Sequence, residues 1–178
     1  MTDARVSGFV GFQQVPIGDP DAQVLIEQVQ EEYVIRYGGR DESPIDHAEF
    51  ASPNGAFFVG HLDAMPVVCG AWRRRSNVEF AGTTNTAEIK RMYVAPPARG
   101  LGLARRMLSH LEATAAAAGA QAMILETGLK QPEAIALYES AGYVPIPGFG
   151  FYRDSDVNRC FAKPLDLAAC PVDTPPQG

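Results

Sequence analysis

The residues best suited to ligand chemistry are the two glycines within Arg99–Ala104, a segment that reads Arg-Gly-Leu-Gly-Leu-Ala. Glycine adopts backbone conformations that strain other residues, so such a segment can approach a ligand closely. The apolar residues that follow recur at helical spacing as far as Leu111, which predicts a helix that begins inside the loop. Because the N–H groups at a helix start lack partners and carry partial positive charge, the expected ligand is a phosphate. The competing interpretation is a plain glycine turn into an amphipathic helix.

Two familiar phosphate loops do not fit this segment. A P-loop requires Gly-Lys-Ser/Thr, which does not follow, and a dinucleotide fingerprint requires a small residue where Arg105 stands. The spacing of Arg99, Gly102 and Ala104 instead resembles the diphosphate loop of the GNAT family of N-acetyltransferases, which is Arg or Gln, two residues, Gly, one residue, then Gly or Ala. The resemblance implies that the loop holds the diphosphate of acetyl-coenzyme A (acetyl-CoA).

A second motif lies at Ala136–Tyr143, which reads Ala-Leu-Tyr-Glu-Ser-Ala-Gly-Tyr. It resembles the second GNAT signature, a helix with a tyrosine four residues before a glycine, and the two motifs stand in the family's order and separation. The tyrosine is Tyr138, and a phenol is suited to protonate a departing thiolate, so we expect it to be the general acid. Packing of this tyrosine in the core is the alternative. The chain departs from the family pattern at Gln131, where asparagine is common.

The strand before the loop supplies the expected base. Glu88 matches a glutamate that is the general base in some family members, and the resemblance makes it our candidate. The alternative is a carboxylate paired with Lys90 or a neighbouring arginine. Strict alternation along the strand places the Glu88 side chain on the face that also carries Met92 and Val94.

The resemblance also implies contacts to acetyl-CoA from the end of this strand, mainly through its main chain, and from the loop. The full set is Met92, Tyr93, Val94, Arg99, Gly100, Leu101, Gly102, Leu103, Ala104 and Arg105. Direct transfer in a ternary complex is expected, without a metal. Cys69 and Cys160 lie on predicted strands with no histidine partner in view, which disfavours an acyl-cysteine intermediate.

Strand and helix signals alternate around these motifs. A helix is predicted from Pro20 to Tyr37, apolar runs at 56–61 and 66–72 suit an antiparallel hairpin, and 122–127 reads as a buried strand parallel to the central one. Together with the resemblance, these signals predict an α/β fold. We expect a mixed, mostly antiparallel twisted sheet of six or seven strands flanked by about four helices.

Composition limits the remaining possibilities. The 178 residues, 46% of them hydrophobic, predict one N-acetyltransferase domain at 1–167 followed by a disordered proline-rich tail at 168–178. A net charge of −6 argues against a nucleic-acid surface, and no stretch suits a membrane span or a signal peptide. With three cysteines that lack metal-ligand spacing, we expect a cytoplasmic enzyme, and a homodimer is left open.

The expected function is transfer of an acetyl group to a primary amine of a small molecule. Two alternatives remain open: a non-catalytic CoA-binding sensor or interaction module, and an enzyme that acetylates proteins or peptides. The aromatic loop Gly148–Tyr152 either contacts the acceptor or anchors itself through its aromatic rings.

Overall fold

The computed structural model describes residues 8–166, which form a seven-stranded sheet with helices on both faces. The strands are β1 (Phe9–Val15), β2 (Gly55–Leu62), β3 (Met65–Arg74), β4 (Thr86–Val94), β5 (Ala122–Gly128), β6 (Val144–Ile146) and β7 (Asn158–Pro164). The α-helices within that range are α1 (Pro20–Tyr37), α2 (Leu103–Ala117) and α3 (Pro132–Ser140), and short 3-10 turns cover His47–Phe50 and Pro96–Ala98.

The strand order is β1-β2-β3-β4-β5-β7-β6, and the β4–β5 pair alone is parallel among the strands just named. The predicted fold class is confirmed, with three α-helices in residues 8–166 where about four were expected. The predicted tail at 168–178 lies outside the described residues. None of the helices in this part of the chain is both long and apolar enough to cross a bilayer.

Local signals fix α1 as predicted. The Asp19 carboxylate accepts a hydrogen bond from the Asp21 N–H at 2.9 Å, and Pro20 occupies the first turn, where its missing N–H costs nothing. Leu25 and Val29 are buried against the sheet. The helix therefore begins at its N-cap signal and is held by one apolar side.

The two faces of the sheet have different neighbours. The Trp72 indole N–H donates to Thr114 Oγ1 of α2 at 3.1 Å, which defines the α2 face of β3. The guanidinium of Arg73 points the other way and lies 5.8 Å from the centre of the Phe50 ring, in the turn after α1. We call this second side the Arg73 face.

The central strands separate part of the way along their length. Thr86–Ile89 of β4 pairs with Ala122–Leu125 of β5, and no further pair joins the two strands within residues 8–166. Beyond that point β4 remains paired with β3, and β5 remains paired with β7. The sheet therefore opens between its two parallel strands.

A β-bulge interrupts β4 at the same level. On the β3 side the register shifts between Lys90 and Tyr93, and Arg91 has φ +54°. One extra residue on β4 reverses the alternation, so Tyr93 shares the face of Glu88 and Val94 points to the opposite face. The prediction that Val94 shares the face of Glu88 is therefore wrong, because strict alternation assumed an unbroken strand.

Candidate active site

The gap between β4 and β5 widens into a cleft of about 580 Å³. Its walls come from α1, the end of β4, the loop before α2, β5 and α3. All the residues predicted to contact acetyl-CoA line this main cleft except Leu101, whose side chain is exposed. The structure thus brings together residues that the sequence motifs grouped only by spacing.

The loop at one end of the main cleft offers main-chain N–H groups. Gly102 is the N-cap of α2 with φ +75°, and no side chain within residues 8–166 caps this helix end. Gly100 has φ +78°, so both glycines occupy the left-handed region that other residues adopt with strain. The free N–H groups of the first turn, at the positive end of the helix, fit an anion such as a diphosphate.

Two arginines flank this loop and already have partners. Arg99 Nη2 donates to Glu32 Oε2 at 2.9 Å, and its Nε donates to the Val94 carbonyl at 3.0 Å. Arg105 donates to the Ser140 hydroxyl. The Arg99–Glu32 pair is half exposed, so it contributes no more than about 1 kcal/mol, and a diphosphate is a stronger partner for the same guanidinium.

Tyr138 lies on α3 and lines the main cleft although it is only 6% exposed. Its ring packs edge-on against Tyr143, with ring centres 5.6 Å apart. Burial raises the pKa of Tyr138, and the nearby Tyr33 phenol raises it further, so the hydroxyl keeps its proton at neutral pH. The tyrosine is thus a core residue that also lines the cleft, and its role as general acid stays a prediction.

A second, smaller cavity of about 240 Å³ lies on the Arg73 face. Glu88 is in its floor and is 1% exposed. Its Oε2 accepts a hydrogen bond from Arg73 Nε at 2.9 Å, while Arg75 Nε lies 3.6 Å from Oε2 and Lys90 Nζ lies 3.8 Å from Oε1. The pairing that we considered as the alternative for Glu88 is confirmed, and its role as a base stays a prediction.

The two cavities share two wall residues, Lys90 and Glu126. Each is the first residue of its strand after the last parallel pair, Ile89–Leu125. Lys90 and Glu126 therefore stand on either side of the point where β4 and β5 separate. The two cavities therefore adjoin at this point.

Glu126 is held by neighbouring donors. Its Oε1 accepts hydrogen bonds from the Gly150 N–H and from Asn158 Nδ2, both at 3.2 Å. Burial raises the pKa of Glu126; the Lys90 ammonium opposes this shift, and the Glu88 carboxylate adds to it. A half-buried carboxylate with a raised pKa is a better proton acceptor near neutral pH than an ordinary one.

Sequence reasoning missed Glu126 and Arg75 as site residues. A signal for Glu126 does exist: it directly follows the buried run Ala122–Leu125, near the carboxyl end of a parallel strand, where ligands bind in open sheets. Arg75 has no comparable signal. It joins the site because the β3–β4 register places it beside Glu88.

The aromatic loop before β7 is anchored by one of its aromatic residues, and its contact with the acceptor stays a prediction. The Tyr152 hydroxyl donates to Asp41 Oδ1 at 3.0 Å and accepts from the Glu42 N–H at 2.8 Å, so this residue anchors the loop. Phe151 is 54% exposed and lines the second cavity. One aromatic residue therefore fixes the loop while its neighbour remains available at the rim of the cavity.

A sheet that opens beside a helix start suited to an anion can hold a ligand that joins a diphosphate to an extended arm, as CoA thioesters do. Residues 25–143 match the Acetyltransferase (GNAT) family, and the chain belongs to that family. It is 33% identical over 153 residues to an IAA acetyltransferase from Azospirillum brasilense, a match that covers 86% of this chain and 95% of that protein.

Solved structures share the fold. A proposed acyl-CoA N-acyltransferase from Klebsiella pneumoniae has a TM-score of 0.70 at 25% identity, covering 88% of this chain and 97% of that one. A proposed acetyltransferase from Salmonella typhimurium, solved with its cofactor acetyl-CoA, has a TM-score of 0.59 at 17% identity, covering 92% and 98% of the two chains. The latter similarity shows the fold alone. As a GNAT acetyltransferase, the protein is an acetyl-CoA-dependent enzyme.

Proposed function

We propose that this enzyme transfers the acetyl group of acetyl-CoA directly to the primary amine of a small molecule. The observation that carries this proposal is the meeting of two cavities at Lys90 and Glu126, one of about 580 Å³ and one of about 240 Å³. The second cavity, at about 240 Å³, equals the share of about eight waters in liquid, which suits a small acceptor better than a protein segment.

The residues of the main cleft fit acetyl-CoA. The N–H groups of the glycine loop Gly100–Ala104 would hold the diphosphate, with Arg99 and Arg105 on either side. The β4 segment Met92–Val94 has no strand partner on its β5 side within residues 8–166, so its main chain can bind the pantetheine amides as an added strand would.

Transfer to an amine requires a base, because a protonated amine has no free electron pair. The sequence-based candidate is Glu88, but three observations support Glu126. Glu126 lines both cavities whereas Glu88 lines the second one. Its Oε2 accepts no hydrogen bond from any residue of 8–166, while Glu88 is engaged by Arg73, and burial raises the pKa of Glu126. We therefore assign the base to Glu126 and give Glu88 the task of holding the cations of the second cavity.

The proton transfers balance in a single step. The amine nitrogen attacks the thioester carbonyl carbon, a nitrogen–carbon bond forms, and the carbon–sulfur bond breaks. Before this step the ammonium loses one proton to solvent through Glu126; in the step itself Glu126 takes the second proton that the nitrogen loses, and the Tyr138 hydroxyl gives its proton to the departing thiolate. Each positioned proton transfer of this kind contributes about 10²- to 10⁴-fold to the rate.

A thiol-release assay with acetyl-CoA and a panel of amines, peptides and proteins tests the proposal. Wild type is expected to release thiol with a small primary amine, and Tyr138→Phe to lower kcat at least about 10-fold at unchanged CoA affinity by calorimetry. Tyr143→Phe is the matched control, because Tyr143 is an equally buried neighbour that does not line either cavity.

Other outcomes would overturn the proposal. CoA binding without thiol release from any acceptor would indicate a non-catalytic sensor. Thiol release with peptides or proteins and not with small amines would indicate a protein-acetylating enzyme.

A further inference from the structure

We propose that the second cavity selects acceptors that carry a carboxylate as well as the amine. Such an acceptor has the size of an amino acid, and Arg75 binds its carboxylate. This inference rests on the proposed function, since it places the reacting amine at Glu126.

The cluster of charges around Glu88 contains one more cation than anions. Arg73 uses two carboxylates, with its Nε on Glu88 at 2.9 Å and its Nη1 on Glu49 at 2.6 Å. Arg75 and Lys90 lie farther from the Glu88 carboxylate: Arg75 Nε is 3.6 Å from Oε2, and Lys90 Nζ is 3.8 Å from Oε1. These three cations and two carboxylates give a surplus of one positive charge in a mostly buried cluster.

Two further acids line this cavity. Asp46 is exposed, and its Oδ1 accepts from the Ala48 N–H at the start of the 3-10 turn. Glu126 is on the side toward the main cleft, where burial raises its pKa and the acceptor amine is expected. Neither acid is within salt-bridge distance of Arg75. When Glu126 is ionised, as its role as a base requires, it offsets the surplus around Glu88, so the case for an acceptor carboxylate rests on Arg75.

The hydrogen bonding of Arg75 indicates that an anionic partner is missing. Its side chain is 20% exposed, and its buried Nε has no hydrogen-bond partner among residues 8–166. Arginine that is largely removed from water without hydrogen bonds is unfavourable, and a carboxylate that accepts two parallel bonds is its best partner. Lys90 Nζ donates to Ser43 Oγ at 3.2 Å, and an ammonium has three hydrogens to donate.

The sheet places these groups in a row. Arg73 is opposite Glu88 in the β3–β4 register, Lys90 is two residues further along β4, and Glu126 faces Lys90 across the opening. Successive residues on one face of a strand lie about 7 Å apart. The Arg75 N–H donates to the Thr86 carbonyl, so Arg75 is level with a residue four positions before Lys90. Lys90 is thus the cation that faces an amine at Glu126, the Arg75 side chain would contact the acceptor carboxylate from the other end of the cavity, and Phe151 at the rim can contact an apolar substituent.

Matched acceptor pairs test the inference by thiol release. Each amino acid is compared with the amine that lacks its carboxylate: glycine with methylamine, phenylalanine with phenethylamine, and lysine with cadaverine. At least one amino acid is expected to exceed its partner amine in kcat/KM by about 10- to 100-fold, the usual effect of a hydrogen-bonded charged group. In Arg75→Gln that ratio is expected to fall toward one through a higher KM for the amino acid.

Arg159→Gln is the matched control, because Arg159 is an exposed arginine of β7 whose hydrogen bonds go to the carbonyls of Asp156 and Asn158. It should keep the wild-type ratio. If wild type acetylates the partner amines as well as the amino acids, the inference is overturned while the proposed function stands. If no acceptor releases thiol, the proposed function fails first.

Discussion

Gly150 lies against the carboxylate of Glu126 so closely that a Cβ at residue 150 would be 2.3 Å from Oε2. The Gly150 N–H also donates to Oε1 of the same carboxylate at 3.2 Å. The loop before β7 therefore holds Glu126 at the junction of the two cavities, and it can do so only where no side chain is present at residue 150. This contact links a loop to the candidate base.

Gly150→Ala is expected to lower kcat at least about 10-fold, because the added methyl group must displace the Glu126 carboxylate from its site. CoA affinity should change little, since Gly150 does not line the main cleft. Steady-state kinetics and calorimetry measure the two effects. Gly39→Ala is the control, with no atom within 4 Å of the added methyl group. Wild-type kcat in Gly150→Ala would argue against Glu126 as the base.

The pH dependence of kcat should depend on Glu126. A base must be ionised, so wild-type activity should fall as pH is lowered through the raised pKa of this carboxyl. Glu126→Gln should have a much lower kcat and should lose this acidic limb. A pH–rate profile of both proteins checks the prediction, and an unchanged acidic limb in the variant would assign it to another group.

The same pKa shift predicts a stability difference. Because the pKa of Glu126 is raised in the folded state, its contribution to stability is fully present below the unfolded pKa and is lost as pH rises through the folded pKa. Glu126→Gln removes this loss. The free energy of unfolding of the variant minus that of wild type, measured with urea, should therefore be larger at pH 8 than at pH 4. A difference that does not depend on pH would contradict the shift.

Glu88→Gln separates a structural role from a catalytic one. Glu88 and Arg73 form a buried ion pair, so removing the charge should lower the free energy of unfolding by about 3 kcal/mol. The acidic limb of the pH–rate profile should remain. Glu139→Gln, at an exposed position of α3, is the control for stability. Loss of the acidic limb without loss of stability would restore Glu88 as the base.

Glu32→Gln should tighten CoA binding about 2- to 5-fold, because the Glu32 carboxylate competes with the diphosphate for Arg99. The gain should shrink as salt is added, since exposed charges are screened. Calorimetry at low and high ionic strength tests this. Glu27→Gln is the control, because Glu27 is on the same helix but pairs with Arg40, and neither lines the main cleft. Weaker binding in Glu32→Gln would show that Arg99 needs Glu32 to hold its position.

Local chemistry along the chain was enough to predict the helices, most of the strands and the glycine loop. Asp19 marks the start of α1 by accepting a hydrogen bond from the Asp21 N–H, and Pro20 marks it through its fixed φ. The glycines at 100 and 102 mark a helix start through their own backbone freedom. Such signals act between near neighbours, so they can be read before any strand is paired.

Strand pairing created the rest of the site. Arg73, Glu88 and Glu126 belong to three different strands. The strand register makes Glu88 the buried ion-pair partner of Arg73 and places Glu126 in the walls of both cavities. The bulge at Arg91 reversed the expected alternation. It could not be predicted, because a positive φ at a residue other than glycine has no local sequence signal. Burial and charge at these positions come from residues far apart in the chain, so the candidate base and the acceptor cavity emerged only when the strands came together.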